Sequence, residues 1–123
     1  MYSYHFEGKL LIIREIKTDV IKWQGQFYGC SIRKVLPSET LSGCVLLLDY
    51  YEFSQSEFRS AGNLFFINST GTIIWHADLP STSDVYLDFD EIVDQKISAY
   101  SWNGYFVNID LHTGRIISQL FTK

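Results

Sequence analysis

Two segments of this 123-residue chain repeat one another. Ile67-Asn68-Ser69-Thr70-Gly71-Thr72-Ile73-Ile74-Trp75 aligns with the stretch from Ile109 through Asp110, His112, Thr113 and Gly114 to Ser118 once one residue is skipped in the first copy, and the two glycines stand 43 residues apart. Each copy is a strand, a Thr-Gly turn and a second strand. The same alternation of Ile, Val, Phe, Tyr and Trp with short polar breaks runs through the whole chain, the pattern of strands and tight turns. It predicts eleven strands, near Tyr2–Phe6, Lys9–Ile16, Val20–Trp23, Gln26–Val35, Cys44–Tyr51, Leu64–Asn68, Thr72–Ala77, Val85–Phe89, Lys96–Trp102, Tyr105–Asp110 and Arg115–Phe121. Glu7-Gly8, Gln24-Gly25, Thr70-Gly71, Asn103-Gly104 and Thr113-Gly114 place glycines where hairpins need positive φ. Pro37–Ser42 could form one helical turn, whereas Ser54–Ser60 and Ala77–Asp84 read as loops. The expected fold is all-β, one domain over residues 1–123.

A repeat near 43 residues in a β-rich chain points to propeller blades, each a four-stranded antiparallel meander leaning on its neighbour. At Phe106-Val107-Asn108-Ile109-Asp110-Leu111-His112-Thr113-Gly114-Arg115-Ile116-Ile117 the sequence resembles the blades of quinoprotein-type β-propellers, whose repeat ends in strand, Asp, Thr-Gly and a strand with a final Trp. Trp75 keeps that tryptophan, and Ser118 replaces it in the second copy. Length limits the resemblance, because a closed propeller needs at least four blades, about 160 residues. The sequence therefore predicts a hairpin meander, propeller-like or a β-sandwich, as an incomplete propeller of up to three blade-sized sheets. The resemblance implies a quinone site at the axis of a complete propeller. This chain lacks the blades to build that axis, so no cofactor is expected.

Motifs that carry chemistry are missing. His5, His76 and His112 lie in separate hairpins without a second ligand at zinc spacing, and Cys30 and Cys44 form no Cys-x-x-Cys pair. The two cysteines sit in strand-like surroundings and read as buried reduced thiols. There is no nucleophile elbow, phosphate-cradling loop or His-Glu-x-x-His. Asp88, Asp90, Glu91 and Asp94 lack the glycine and terminal Glu of a calcium loop. Asp110 beside His112 reads as turn chemistry. The start of the chain has no secretory-signal pattern, and apolar runs such as Val45–Leu48 are far too short to span a bilayer. A cytoplasmic, non-enzymatic domain is the expectation.

Charge gives the one functional signal. Between Arg59 and Lys96 there is no Lys or Arg, while Asp78, Asp84, Asp88, Asp90, Glu91 and Asp94 contribute six negative charges, more than the whole-chain net of −4. Strand alternation is expected to place Tyr86, Asp88 and Asp90 on one face and Val85, Leu87 and Phe89 on the other. Trp102 and Tyr105 flank the Asn103-Gly104 hairpin, and Tyr and Trp are residue types that anchor interfaces. Such a surface repels nucleic acid and attracts basic proteins. In size, charge and lack of catalytic motifs the chain resembles the immunity proteins that bacteria make against their own secreted nuclease toxins, including those of contact-dependent growth inhibition systems. That resemblance implies a protein partner, a basic toxin domain occluded by Asp78, Asp84, Tyr86, Asp88, Asp90, Glu91, Asp94, Trp102 and Tyr105. The chain itself would be a monomer or weak homodimer, with no nucleic-acid or membrane partner. The alternative is a small-molecule-binding or small enzyme domain with a pocket between sheets, using Asp110, His112 or the Asp88–Asp94 group.

Overall fold

The computed structural model describes residues 1–122 and contains eleven strands in three antiparallel sheets. Sheet 1 is the meander β1 (Tyr2–Glu7), β2 (Leu10–Glu15) and β3 (Ile21–Gly25). Sheet 2 runs β4 (Ile32–Ser38), β5 (Gly43–Leu48), β6 (Leu64–Asn68) and β7 (Ile73–His76). Sheet 3 runs β8 (Tyr86–Val93), β9 (Lys96–Ser101), β10 (Tyr105–Asp110) and β11 (Ile116–Phe121). Each sheet pairs strands in chain order, the signature of propeller blades. Two buried clusters separate the sheets, one between sheets 1 and 2 and one between sheets 2 and 3.

The middle sheet is buried on both sides, which explains why its central strands read as unbroken apolar runs. In β5, Cys44, Leu46 and Leu48 enter the cluster shared with sheet 1, while Val45 and Leu47 enter the cluster shared with sheet 3. In β6, Phe65 and Ile67 face sheet 1, and Leu64 and Phe66 face sheet 3. Strand alternation thus distributes one apolar segment between two cores. Cys30 and Cys44 are buried free thiols.

The last hairpin of every sheet is the same object. Trp23 opposes Ile13 and Ile21 opposes Arg14; Trp75 opposes Phe66 and Ile73 opposes Ile67; Ser118 opposes Asn108 and Ile116 opposes Ile109. In each case the register shifts by one residue, so Lys22, Ile74 and Ile117 are equivalent bulges. Glu15–Val20, Asn68–Thr72 and Asp110–Arg115 close the turns with matching backbone hydrogen bonds of 2.9–3.0 Å. The repeat therefore has three copies, not two.

These hairpins hold the sheets together. The Trp23 indole lies on Gly71, where an added Cβ would meet its Cε2 at 2.2 Å, and the Trp75 indole lies on Gly114, where a Cβ would meet Cε3 at 2.4 Å. Trp75 also donates its Nε1–H to the Leu111 carbonyl at 3.0 Å. Both glycines have left-handed backbones, φ 80° and 75°. Asp19 occupies the equivalent turn position in sheet 1 with φ 58°. A side chain is tolerated there because no indole of the described residues lies on it.

Several local expectations are corrected. Gln26–Val35 is not one strand: Tyr28 and Gly29 take positive φ, and residues 26–31 cross from the outer strand of sheet 1 to the inner strand of sheet 2. Gly25 ends β3 and is not part of a hairpin turn. Pro37 and Ser38 extend β4. Tyr50–Ser54 forms helix α1 because Asp49 accepts a hydrogen bond from Glu52 N at 3.0 Å, a side-chain N-cap, so the preceding strand stops at Leu48.

The crossing segment is pinned by a hydrogen bond between the Tyr28 hydroxyl and His76 Nε2, 2.7 Å. Burial holds the His76 imidazole below its ordinary 6.5, so the unfolded chain takes up this proton first. The His76 contribution to stability is therefore full above pH 6.5 and is lost as pH drops below it. Replacing His76 by Gln is expected to reduce that acid-side slope in urea titrations.

Gly114→Ala is expected to destabilise the fold by more than about 3 kcal/mol, combining a left-handed backbone with a clash on Trp75. In a Trp75→Ala background only the backbone cost of about 1–2 kcal/mol should remain. Equal costs in both backgrounds, measured by denaturant unfolding, would refute the docking.

Candidate functional site

The third sheet differs from the first in what it shows to solvent. Sheet 1 turns Tyr2, Tyr4 and Phe6 toward sheet 2, and its outer face carries Ser3, His5 and Glu7 of β1, Leu10, Ile12 and Arg14 of β2, and Ile21 and Gln24 of β3. That face mixes polar and aliphatic side chains and carries no Phe, Tyr or Trp. In sheet 3, Ile97, Ala99, Val107 and Ile109 face inward. Tyr100, Phe106 and Leu120 are cross-strand partners on the outward face. Tyr100 and Phe106 rings are 5.1 Å apart, and Leu120 is 65% exposed. Beside this apolar row runs a polar one, in which Ser98 donates to Asn108 Oδ1 and Asn108 Nδ2 donates to Ser118, both at 3.0 Å. Ser118 holds the position that Trp23 and Trp75 hold in the other sheets, so this face has no docking indole.

Strand β8 forms the acidic border of the face. The Tyr100 hydroxyl donates to Asp90 Oδ2 at 3.0 Å, and this bond with the nearby Asp88 charge raises the phenol's pKa. Asp88 pairs with Lys34 at 3.2 Å, whose ammonium also sits over the Phe89 ring and bonds the Phe89 carbonyl. Asp94 lies 4.0 Å from Lys96, in a β8–β9 turn where Asp94 and Gln95 both have positive φ. Asp90 and Glu91 are exposed and have no ion-pair partner among the described residues.

The nine residues expected to form one surface are divided. Asp88, Asp90, Glu91 and Asp94 follow one strand and its turn. Tyr86 is fully buried, its hydroxyl donating to the Asp78 carbonyl, because a register shift between Tyr86 and Asp88 breaks the alternation and puts Tyr86 and Phe89 on the same inward side. Asp84 is also buried, accepting from the Ser81 hydroxyl at 2.7 Å, Val85 N at 2.9 Å and Asn103 N at 3.0 Å. Asp78 is exposed and accepts from Ile116 N at 3.3 Å. Trp102 sits at the β9–β10 turn, the opposite end of β9 from Asp94, about 20 Å away. Tyr105 leans on Phe121, ring centroids 5.3 Å apart. Tyr100, Phe106 and Leu120 were missed; alternation in β9 and β10 marks them, once both faces are seen to carry large side chains.

Asp110 and His112 build their own turn. Thr113 donates its hydroxyl to Asp110 at 2.8 Å, which holds that carboxyl below the ordinary carboxylate value, and His112 Nε2 lies 3.0 Å from Gln95 Oε1. Among the described residues no group of three His, Cys, Asp or Glu is placed to hold a metal. No helix among them is long and apolar enough to cross a membrane.

A match over residues 1–121 decides the family. The chain belongs to the domain of unknown function DUF7957. No curated protein matches it. Among solved structures it is similar to BamB from Moraxella catarrhalis, a β-propeller, with a TM-score of 0.60 and 13% identity over 96% of this chain and 33% of that one. It is also similar to the computationally designed Ika8 protein, with a TM-score of 0.61 and 8% identity over 98% of this chain and 36% of that one. At these identities the likeness is one of fold. The chain spans about a third of the length of each.

Leu120→Ser, on the outer face, is expected to change stability by no more than about 0.5 kcal/mol. Val107→Ser, facing sheet 2 from the neighbouring strand, should cost more than about 2 kcal/mol in urea unfolding.

Proposed function

We propose that this domain is a non-catalytic protein-binding module that docks a basic protein on the outer face of its third sheet. The observation that carries this reading is the contrast between the two ends of the sheet stack: on sheet 1 a mixed face without Phe, Tyr or Trp, and on sheet 3 an aromatic row bordered by the carboxylates of β8. An apolar centre with a charged rim is the anatomy of a protein interface. Carboxylates without ion-pair partners, Asp90 and Glu91, supply complementarity to a cationic surface and accelerate encounter.

The partner that best fits this chemistry is a basic nucleic-acid-cleaving toxin, and the module then acts as its immunity protein in the cytoplasm. The carboxylates would occupy the cationic cleft that otherwise receives phosphates, while Tyr100, Phe106 and Leu120 exclude water around it. Occlusion of this kind needs no reaction, only complementary shape and charge.

The test begins with purification from the native host and identification of the bound partner. A basic partner whose toxicity is relieved by co-expression of the wild-type domain, and much less by Asp90→Lys/Glu91→Lys, supports the reading. Association should slow with that double variant and with added salt. A partner with no excess of positive charge, or an association rate unchanged by the double variant at low salt, overturns it.

A further inference from the structure

A separate cavity lies at the junction of sheets 2 and 3, away from the outer face of sheet 3. It has a volume of about 770 Å³, opens to solvent, and is bordered by helix α1, the loop from Leu79 to Val85 and the β9–β10 hairpin tip. That volume lies within the usual range of small-molecule sites, which are mostly apolar with a few convergent polar groups. One wall is aromatic: Tyr50 and Trp102 stack with centroids 5.8 Å apart and planes inclined by 26°, and Phe53 lies in the floor. The lining also includes Ser81, Thr82 and Ser83 of the loop and Arg59.

The cavity is formed by fixed elements. Asn63 joins the two sheets behind it, donating to the Leu48 carbonyl at 3.0 Å and the Tyr86 carbonyl at 2.8 Å while accepting from Tyr86 N at 2.9 Å. Asn103 Nδ2 donates to Ser81 Oγ at 2.9 Å, tying the hairpin tip to the serine-rich loop. Asp84 is committed to that same junction, so its three donors balance its charge. Arg59 is in the opposite situation. One guanidinium N–H reaches the Ser56 carbonyl at 3.4 Å, and among the described residues it has no carboxylate partner.

We propose that this cavity binds a small planar ring compound bearing one anionic group, with the ring against the Tyr50 and Trp102 wall and the anion on Arg59. A flat π-surface gains from an aromatic wall, and a guanidinium presents a planar fork of donors matched to a carboxylate or phosphate. The Ser81 hydroxyl is taken up by Asp84 and Asn103, which leaves those of Thr82 and Ser83 to donate to or accept from polar groups on the ring edge. The inference is independent of the protein-binding reading, because none of Tyr100, Phe106, Leu120, Asp90 and Glu91 lines the cavity.

Calorimetric titration of the full chain tests it with salicylate and AMP as probes and with salicylamide and adenosine as uncharged counterparts. At least one anion should bind at low-millimolar concentration or better, about tenfold more tightly than its counterpart. The favoured anion distinguishes carboxylate from phosphate. Arg59→Gln should erase the preference for the anion, while Trp102→Ala should weaken both members of the pair and Trp102→Phe should retain binding. Thermal unfolding of each variant without ligand verifies that it is folded. The proposal is overturned if neither anion binds the wild-type chain, or if binding is indifferent to Arg59→Gln and Trp102→Ala.

Discussion

An indole resting on a glycine is the contact on which this architecture depends. Trp23 of sheet 1 covers Gly71 of sheet 2, and Trp75 of sheet 2 covers Gly114 of sheet 3. A tryptophan offers a large flat area, and only a residue without a Cβ lets that area reach the backbone of a turn. Because the tryptophan belongs to the outer strand and the glycine to the next sheet's turn, the contact has a direction. Three sheets provide two such contacts, each beside one of the two buried clusters. The order of sheets therefore follows from where the tryptophans stand in the chain.

Much of this was legible in the sequence. Eleven strands, the Thr-Gly hairpins and the limit of three blade-sized sheets all follow from local alternation, turn chemistry and length. The first copy of the repeat was hidden because Asp19 stands where the other copies have glycine; Asp tolerates the left-handed turn, so the backbone is retained while the letter changes. Helix α1 was missed because Tyr50 and Tyr51 have strong strand preference, and Asp49 overrides it through a cap. The acidic segment was found, but alternation failed within it. Bulges in β8 send Tyr86 and Phe89 to the same side, and Asp84 is consumed in a turn. The row of Tyr100, Phe106 and Leu120 depends on strand pairing across two hairpins, which spacing alone does not supply.

The propeller likeness concerns how sheets stack and leaves function open. A propeller's usual site lies where many inner strands converge, and here the inner strands of sheets 2 and 3 are β4 and β8, joined by Lys34 and Asp88. That ion pair bridges the inner strands of the neighbouring sheets at the surface. The two sites we propose lie elsewhere, at the end of the stack and in the inter-sheet cavity.

The two junctions of the stack are not built alike. Between sheets 2 and 3, Asn63 satisfies three backbone groups with one neutral amide, whereas the segment entering sheet 2 from sheet 1 is held by the Tyr28 and His76 hydrogen bond. An array whose units touch only their neighbours divides its stability among its interfaces. Protonation of His76 therefore loads the joint where the chain enters sheet 2, so the pH dependence that this one imidazole brings is local to the sheet 1 side of the stack.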